Sequence, residues 1–458
     1  MNIRLTFTIA MAKLAIKLCR LTKHGGTDFP GRLALRLYPQ IIDILPARFE
    51  SIVVTGTNGK TTTTKMIGQI LSENGIAFIT NKSGANLRGG LITTFIENVS
   101  LTGKCEAKTA LLEIDEAAFR QLHGHVKPKV AVVTNFFRDQ LDRYGELYTT
   151  LSRVKEGISK YPQSTCVLNA DDSLCASIAK DTGAQSVYYG FAPGAAPNVP
   201  VAHSDAVHCF YCKMPYNYTY HVYGHLGDFS CPQCGYKKPD TQTTCTQVKA
   251  LKGNRSEVTV AIGEKEYSAS INLPGLYNVY NALAAITCAD VLGLPVENSL
   301  AALSKVESGF GRMESIPVGD KTVKLVLVKN PTGFNQVITH LLGDCLEQMD
   351  NLSILINDNV ADSEDVSWLW DVDFEPFADT ELRINTSGRR ANDMAVRLKY
   401  AGVDPARIHV IPDQNQLIDE GLDATQPGHD YYILTTYTAM FEIREKLGQK
   451  FTLKEFWA

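Results

Sequence analysis

The sequence predicts an α/β protein of two domains, the first of which carries a small inserted module. Short apolar runs alternate with helix-compatible segments through about the first 180 residues, a pattern typical of βαβ units and a mainly parallel sheet. A cysteine-rich island from about residue 205 to 240 interrupts this alternation. A second series of strand-like runs begins after about residue 320. We therefore expect a first domain over residues 1–315 and a second α/β domain over residues 316–458.

Each strand is predicted from a short apolar or alternating run bounded by polar or turn residues. In the first domain the runs are Ser51–Thr55, Ala110–Ile114, Val130–Thr134, Cys166–Asn169, Glu257–Ile262 and Glu266–Ile271, and an Ala-rich helix covers Asn278–Leu292. In the second domain they are Val323–Val328, Ser353–Ile356, Ile408–Ile411 and Tyr431–Leu434.

The composition is that of a globular protein with ordinary charge. The chain has 458 residues, 44% of them apolar, and a net charge of -4, so no global basic field would recruit nucleic acid. Basic residues interrupt the apolar patches of the first 21 residues, where neither a signal peptide nor a membrane span is recognisable. We expect an amphipathic helix there that packs on the first domain, with a membrane-surface role as the less favoured alternative. A cytoplasmic location follows as an expectation.

A glycine-rich turn between a strand and a helix predicts a nucleotide site. The turn reads Gly56-Thr57-Asn58-Gly59-Lys60-Thr61-Thr62 and leads into a helix-compatible stretch that ends near Asn74. Glycine lets backbone N–H groups approach phosphate oxygens at a helix N-terminus. Lys60 would neutralise the terminal phosphates and Thr61 would ligate Mg²⁺. The general P-loop pattern has glycine where this chain has Val54, so the loop is a shorter variant.

Four cysteines in two Cys-x-x-Cys pairs predict a zinc ribbon. Cys209 and Cys212 form one pair, and Cys231 and Cys234, 18 residues further on, form the other. Four thiolates close the coordination shell of zinc, so the predicted role is structural. Two disulfides or four unrelated thiols are the alternatives. The tyrosines between the pairs indicate ribbon packing or a docking face, since only one lysine accompanies them.

A second candidate magnesium ligand follows the next apolar run. Glu113 would lie at the carboxyl end of its strand, the edge of an open α/β sheet where ligands bind. A solvated acidic turn is the simpler interpretation of such a carboxylate, and it suits Glu116 better than Glu113.

Further motifs occur in a characteristic order along the chain. They are Thr134-Asn135-Phe-Phe-Arg138-Asp139-Gln140-Leu-Asp142, Leu168-Asn169-Ala170-Asp171-Asp172, Leu273-Pro-Gly275-Leu-Tyr277-Asn278-Val-Tyr-Asn281 and Gly311-Arg312-Met-Glu314. With the glycine-rich turn, they resemble the Mur ligase family over about residues 50–335. The resemblance implies ATP-dependent amide-bond formation through an acyl phosphate. It also implies that Lys60 and Thr61 hold phosphates and Mg²⁺, that Glu113 binds Mg²⁺, and that Asn278 and Arg312 contact the nucleotide.

Three departures from the family pattern bear on function. Gln140 stands where the family has a histidine that contacts metal, and Lys155 lies near the offset of a carbamylated lysine but in a poor context. About 50 residues precede the glycine-rich turn, fewer than the family's domain for UDP-linked sugars needs. We therefore expect a substrate other than a soluble UDP-linked precursor.

The cysteine island and the tail resemble one subgroup of the family, the synthetase subunits of lipid II isoglutaminyl synthases. The matching tail segments are Lys329–Gly333 and Asn357–Phe374. The resemblance implies a Mur ligase-like P-loop domain with an inserted four-cysteine zinc ribbon, followed by a Rossmann-like domain. It further implies amidation of the α-carboxylate of D-isoglutamate in lipid II at the inner membrane face. Ammonia would come from a GatD-like glutaminase subunit in a heterodimer.

The same resemblance assigns Asp365 to the partner's active site, where it would complete a Cys–His dyad. A carboxylate that accepts the second N–H of a histidine fixes its tautomer and stabilises the imidazolium. From the residues alone this segment is a solvated acidic turn, and Asp358 and Asp362 are equal rivals.

Two other functions remain open at this point. An amino-acid ligase of the Mur or folylpolyglutamate type would turn over without a glutaminase. A non-catalytic, nucleotide-gated adaptor would bind ATP without carboxylate-dependent release of ADP.

Overall fold

The computed structural model divides into two compact units. It describes residues 3–21, 26–81, 85–121, 124–139, 147–197, 205–252, 255–306 and 312–453. The first unit comprises Met1–Phe136, Leu147–Ala250 and Asn254–Val306, and the second comprises Phe137–Glu146, Leu251–Gly253 and Glu307–Ala458.

The first unit alternates strands and helices, as its apolar runs predict. Its helices are α1 (Ile3–Leu21), α2 (Phe29–Leu37), α3 (Ile41–Ile44), α4 (Lys60–Glu73), α5 (Arg88–Asn98), α6 (Glu116–Gln121), α7 (Leu147–Ser159), α8 (Ser173–Thr182), α9 (Leu276–Val291) and α10 (Val296–Leu303). Its strands are β1 (Glu50–Thr55), β2 (Phe78–Thr80), β3 (Thr109–Glu113), β4 (Pro128–Val133), β5 (Thr165–Asn169), β6 (Ser186–Phe191), β7 (Asn217–Tyr223), β8 (Leu226–Ser230), β9 (Thr243–Lys252), β10 (Arg255–Ile262) and β11 (Lys265–Ile271).

Among the described residues, nine of these strands form one sheet in the order β11-β10-β9-β6-β5-β4-β1-β3-β2. The neighbours from β2 to β6 in this order run parallel, and β6 also runs parallel to β9. All the strands predicted for this unit are confirmed to within two residues. β2, β6 and β9 were not predicted, because they are short or rich in tyrosine and threonine rather than aliphatic residues.

The centre of this sheet is buried on both faces, as expected for parallel strands covered by helices. Five of the six residues of β1 are buried, and so are four of the five in β3. In the parallel register, Val54 lies beside Glu113. The carboxyl ends of β1, β3 and β4 therefore meet at one edge, which positions the candidate site.

The second unit is a smaller α/β layer structure. Its strands are β12 (Arg312–Val318), β13 (Lys321–Leu327), β14 (Asn351–Leu355), β15 (Arg383–Ser387), β16 (Ile408–Val410) and β17 (Asp430–Thr435). Its helices are α11 (Pro331–His340), α12 (Ala391–Tyr400), α13 (Gln414–Asp423) and α14 (Tyr437–Lys450). Within the described part of the chain the strand order is β12-β13-β17-β14-β15-β16, with only β12 antiparallel to its neighbour. The four strands predicted here are confirmed.

The helix predicted over the first residues is α1, and it packs on the first unit as expected. Leu5, Ile9, Ala12 and Ile16 belong to the same apolar core as residues of α5 and the central strands. Among the described residues, no helix is long and apolar enough to cross a bilayer.

Candidate active site

The turn after β1 has a backbone shape that only glycine adopts without strain. Gly56 has φ 117° and Gly59 has φ 85°, both in the region that side chains disfavour. A Cβ at Gly56 would collide with Oγ1 of Thr134, and a Cβ at Gly59 would collide with Oδ1 of Asn281. The two glycines therefore leave an open backbone cradle at the N-terminus of α4, where N–H groups and the helix dipole favour an anion.

A neighbouring strand end holds the turn in this shape. The amide of Thr57 donates to the backbone oxygen of Asn135 at 2.8 Å, and the amide of Asn58 donates to Oδ1 of Asn135 at 2.9 Å. The hydroxyl of Thr134 donates to the backbone oxygen of Asn58 at 2.7 Å. Asn135 thus fixes the cradle from β4, a role that the sequence signalled only through its place in a motif.

Lys60 is folded back over the turn and meets a carboxylate. Its Nζ donates to the backbone oxygen of Gly56 at 2.5 Å and lies 3.2 Å from Oε1 of Glu116. Glu116 is 5% exposed, so the interpretation of this residue as a solvated turn is wrong. The first turn of α6 brings Glu116 to the cradle, and the sequence missed it because a charged residue after a strand usually faces water.

Glu113 occupies the expected position at the end of β3. It is buried, and its backbone exchanges two hydrogen bonds of 2.9 Å with the side chain of Asn81. Thr61 is half-buried in the first turn of α4. A hydroxyl and a carboxylate oxygen are donors that suit Mg²⁺, so this pair fits the ion.

The amide side chains of α9 adjoin the cradle. Nδ2 of Asn278 donates to the backbone oxygen of Pro274 at 2.7 Å, and Nδ2 of Asn281 donates to Oδ1 of Asn278 at 3.2 Å. Oδ1 of Asn281 in turn accepts from the hydroxyl of Thr63 at 3.3 Å. This chain of contacts places Asn278 beside the first turns of α4, where Thr62 is also buried.

Three residues named from the family resemblance are not part of the site as the structure describes it. Gln140 lies outside the described residues, and Arg312 begins β12 with a side chain that the structure does not describe. Lys155 on α7 pairs with Asp181 at 2.5 Å and lies over the ring of Phe210. Burial lowers the pKa of Lys155 despite this carboxylate. A carbamate at Lys155 would face Asp181 with like charge, so we assign it no metal-supporting role.

The four cysteines of the island converge on one point. Their sulfurs all lie within 4.8 Å of one another, with Cys209 and Cys234 at 3.6 Å and Cys212 and Cys231 at 3.3 Å. These distances exceed a disulfide bond of about 2 Å. They approach the roughly 3.8 Å edge of a tetrahedron of sulfurs around zinc, so the cluster is compatible with that metal. The disulfide and scattered-thiol alternatives do not fit this geometry.

The tyrosines of the island pack within it or against the sheet. Tyr216 is buried against Phe229, and the hydroxyl of Tyr220 donates to the backbone oxygen of Phe191 at 2.6 Å. Tyr223 meets Tyr280 of α9 edge to face. These rings stabilise the inserted module on the first unit.

Two adjacent carboxylates of the turn after β5 anchor the inserted module. Asp171 is fully buried, 2.5 Å from Nζ of Lys238, and accepts from the hydroxyl of Tyr280 at 2.7 Å. Asp172 lies 3.3 Å from Nε2 of the fully buried His225. Burial raises the pKa of Asp171 and outweighs the effect of Lys238. Burial opposes the charge on His225, but Asp172 outweighs it and the pKa of His225 is raised.

The acidic segment of the second unit distinguishes its three aspartates. Asp358 accepts from Arg389 at 2.7 Å and from Arg390 at 2.9 Å. Asp362 is buried and accepts from the backbone amide of Thr438 at 2.7 Å. Asp365 is exposed, and its Oδ1 accepts from the amide of Ser367 at 2.8 Å. That hydrogen bond lowers the pKa of Asp365, so the side chain presents an ionised carboxylate to solvent.

Asp365 lies at a surface cavity with exposed aromatic side chains close by. The cavity, of about 450 Å³, has a mixed apolar and polar lining, made up of Asp365, Val366, Ser367, Leu369, Trp370, Asn392, Asp393, Val396 and Arg397. Trp370 is half exposed and meets the exposed Tyr400 at 5.7 Å, with Arg397 stacked on its ring. We refer to Asp365, Trp370, Val396 and Tyr400 as the Asp365 surface.

Comparison with known proteins matches both units. A model of the Mur ligase middle domain matches residues 54–289, and a model described as MurT ligase C-terminal matches residues 327–440.

Two curated relatives are similar over nearly the whole chain. One is the lipid II isoglutaminyl synthase (glutamine-hydrolyzing) subunit MurT of Streptococcus pneumoniae, 38% identical over 93% of this chain and 93% of its own. The other is the subunit of the same name from Staphylococcus aureus strain COL, 33% identical over 97% of this chain and 98% of its own.

Among solved structures, MurF from Acinetobacter baumannii shares the fold. It superposes with a TM-score of 0.67 at 19% identity, over 91% of this chain and 80% of that one.

Proposed function

This chain belongs to the Mur ligase family, and we propose that it is the synthetase subunit of a glutamine-dependent lipid II isoglutaminyl synthase. The proposed reaction converts the α-carboxylate of D-isoglutamate in lipid II to the amide of D-isoglutamine, with ATP as energy source and ammonia as nitrogen donor. It would take place at the cytoplasmic face of the membrane, where ATP and the substrate meet. The full-length likeness to the pneumococcal and staphylococcal subunits named for this activity supports the choice of substrate.

The proposed reaction has two steps, formation of an acyl phosphate and its attack by ammonia. An oxygen of the substrate carboxylate attacks the γ-phosphorus of ATP, the bond to the β-phosphate oxygen breaks, and ADP leaves. The nitrogen of ammonia then attacks the carbonyl carbon of the acyl phosphate, loses a proton, and phosphate leaves as the amide forms.

The cradle is built for the first of these steps. The backbone amides of the first turn of α4, which begins at Lys60, would hold the phosphates, and the ammonium of Lys60 would turn from Glu116 towards the transferred group. Thr61 and Glu113 would hold Mg²⁺, which neutralises charge on the phosphates when it is bound. Asn278 lies beside the same turn of α4 and supports the nucleotide from α9.

The second step needs a local source of ammonia. Unprotonated ammonia is scarce at neutral pH, so a partner that releases it from glutamine next to the acyl phosphate raises its effective concentration. We propose a GatD-like glutaminase as that partner, with Asp365 accepting the second N–H of the partner's histidine. Asp365 suits this role because its carboxylate is exposed and ionised. The carboxylates of Asp358 and Asp362 already accept hydrogen bonds, from arginines and from Thr438 respectively.

The Asp365 surface also has the composition of a docking site. Exposed Trp370 and Tyr400 supply large rigid rings, the residue types that anchor protein interfaces. Arg397 beneath them is tied to Glu375 at 2.9 Å, which fixes the ring of Trp370 from below. A partner seated here would enclose Asp365 and bring it to its own catalytic histidine.

The cysteine cluster is proposed to hold a structural zinc ion. Cys209, Cys212, Cys231 and Cys234 would fill all four positions of a tetrahedral site and leave none for substrate. The ion would therefore stabilise the inserted module and take no part in the transfer.

The observation that carries the proposal is the phosphate cradle beside the buried Glu113, since a ligase of this kind must first bind ATP and a divalent cation. The test is ATP turnover on a lipid II analogue with a free D-isoglutamate carboxylate. Ammonium chloride, or glutamine together with the glutaminase, is expected to support release of ADP and replacement of a hydroxyl by an amino group in the product mass. Turnover that requires an amino acid instead would establish the amino-acid ligase. Binding of ATP without turnover on any acceptor would reject both ligase reactions in favour of the adaptor.

A further inference from the structure

Helix α1 has two apolar faces, and only one of them is needed for packing. The inward face carries Leu5, Ile9, Ala12 and Ile16, all buried in the core of the first unit. The outward face, which we call the α1 stripe, carries six large apolar side chains that are 37–80% exposed: Ile3, Phe7, Met11, Leu14, Leu18 and Leu21.

The stripe is continuous along the whole helix. Its members recur at intervals of three or four residues, so they cover an arc of about 80° at about 100° per residue. The helix has 19 residues and extends for about 27 Å at 1.5 Å per residue. Single exposed apolar residues are ordinary, but an aligned row of this length marks an interaction surface.

The charges of α1 all have one sign. The helix contains four basic residues, Arg4, Lys13, Lys17 and Arg20, and no acidic residue, although the chain as a whole carries a net charge of -4. On a helical projection Arg4 borders the stripe on one side and the exposed Lys17 on the other. Arg4 is held on the protein, because its Nη2 donates to the backbone oxygen of Leu37 at 3.2 Å and its guanidinium lies over the ring of Tyr38. Lys13 and Arg20 lie further round the helix and contact Glu97 of α5. Lys13 donates to the backbone oxygen of Glu97, and Arg20 pairs with the carboxylate of Glu97.

We propose that the α1 stripe lies in the interfacial region of a bilayer that carries anionic headgroups. Apolar side chains would enter the acyl boundary while Lys17 reaches outward to the headgroups beside them, the arrangement of an interfacial amphipathic helix. This inference rests on the proposed function to the extent that a lipid-linked substrate requires the enzyme to work at a membrane surface.

Two features favour a bilayer over a second copy of the chain. A narrow apolar row with a basic border and no acidic residue matches the charge and depth of an anionic interface. A second copy docked through the same helix would bring like charges together across the contact. The packing of Leu5 and Ile9 keeps α1 on the protein, so the helix would lie on the membrane rather than cross it.

The test is sedimentation of the purified chain with large unilamellar vesicles that contain no lipid-linked sugar and no ATP. Vesicles with phosphatidylglycerol in phosphatidylcholine are compared with phosphatidylcholine alone. We expect partitioning onto the anionic vesicles at least about tenfold stronger than onto neutral ones, with loss at high salt.

A stripe variant and a matched control separate the surface from general hydrophobicity. Phe7→Ser with Leu14→Ser removes two outward side chains and is expected to lower partitioning at least about tenfold. Leu101→Ser with Leu346→Ser removes two apolar side chains that are also exposed but lie outside α1, and should leave partitioning unchanged. Tm measurements on both double variants verify that each remains folded.

Several results would overturn the inference. Equal sedimentation of wild type and stripe variant would show that α1 does not bind lipid. If the wild type is a dimer in light scattering and the stripe variant is a monomer, the face binds a second copy of the chain. If the stripe variant loses binding to the glutaminase, the face binds that partner.

The vesicle assay stands apart from the proposed reaction. Amidation of a water-soluble stem-peptide substrate should be equal in wild type and stripe variant. Its failure in both would reject the proposed function without affecting the vesicle result.

Discussion

The ammonium of Lys60 lies 3.2 Å from the carboxylate of Glu116, and both side chains are buried beside the phosphate cradle. Glu116 compensates the charge of Lys60 while no phosphate does so. Because a buried charge left without its partner costs about 3–5 kcal/mol, this pair links the stability of the chain to its nucleotide.

Glu116→Gln is expected to destabilise the nucleotide-free chain by about 3 kcal/mol and the ATP-bound chain by much less. ATP phosphates would take over the compensation of Lys60, so the variant should gain more in Tm from ATP than the wild type does. Thermal unfolding with and without a non-hydrolysable ATP analogue measures both values. Glu50→Gln, which removes the exposed partner of Lys129, is the matched control and should change stability by less than about 0.5 kcal/mol. An equal gain in Tm for variant and wild type would contradict the link.

Gly59→Ala is expected to weaken ATP binding by at least about tenfold, because the added Cβ would displace Asn281 and strain the cradle. Gly75→Ala is the matched control, since Gly75 also has a positive φ but meets no atom within 4 Å of an added Cβ. The positive φ alone should cost about 1 kcal/mol of stability in Gly75→Ala, and Gly59→Ala should cost more because Asn281 must also move. Only Gly59→Ala should change the Kd for ATP in equilibrium binding. A normal Kd in Gly59→Ala would remove the cradle from the nucleotide site.

Asp365→Asn is expected to lower glutamine hydrolysis by the complex at least about a hundredfold, because a neutral amide cannot stabilise the partner's imidazolium. The ammonium-dependent reaction should stay unchanged, which separates this role from a folding defect. Asp358→Asn is the comparison variant and should keep most of the glutaminase rate. The assignment fails if Asp365→Asn, mixed with its glutaminase, hydrolyses glutamine at the wild-type rate.

Cys212→Ser is expected to abolish stoichiometric zinc binding and to lower the Tm of the first unit, since three thiolates hold a structural ion far less well than four. Cys105→Ser, another half-buried thiol outside the cluster, should keep its zinc. Metal content by mass spectrometry and a thermal melt give the two readings. A wild-type chain that is stable and metal-free after chelation would reject the structural zinc.

His225 makes stability depend on pH in a defined direction. Its pKa is raised in the folded chain because the facing Asp172 outweighs the effect of burial, so the stabilisation is complete below the ordinary value of about 6.5. It is lost as the pH rises through the raised value. The difference in unfolding free energy between wild type and His225→Gln should therefore be largest below about pH 6.5 and shrink as the pH is raised above it in urea titrations. A difference that grows with pH would contradict this sign.

The sequence sufficed for those parts of the fold and the site that depend on local pattern. The run before Gly56 and the alternation around Glu113 predict two strands, and parallel pairing brings their carboxyl ends together. The four-cysteine spacing likewise predicts a convergence of sulfurs that the structure confirms.

Other features depend on contacts between distant parts of the chain. Glu116 is buried because it pairs with Lys60, 56 residues earlier in the chain. A contact over that distance leaves no periodic pattern in the sequence. The three aspartates of the acidic segment look alike in sequence, and they differ because Arg389 meets Asp358 from 31 residues away and Thr438 meets Asp362 from 76. The outward apolar face of α1 also has no local signature, since both faces of that helix are apolar.

The contacts of Asp171 and Asp172 have a consequence for biogenesis. Lys238 and His225, which face these carboxylates, belong to the inserted module, so the nucleotide-binding core closes around two buried acids whose cationic partners arrive later in the chain. The module therefore cannot be excised and replaced by a short loop without stranding those charges, at about 3–5 kcal/mol for each broken pair. If the cysteine cluster holds the proposed zinc ion, metal supply during synthesis would limit how much of the chain folds, since the module that it stabilises supplies both partners of the buried acids.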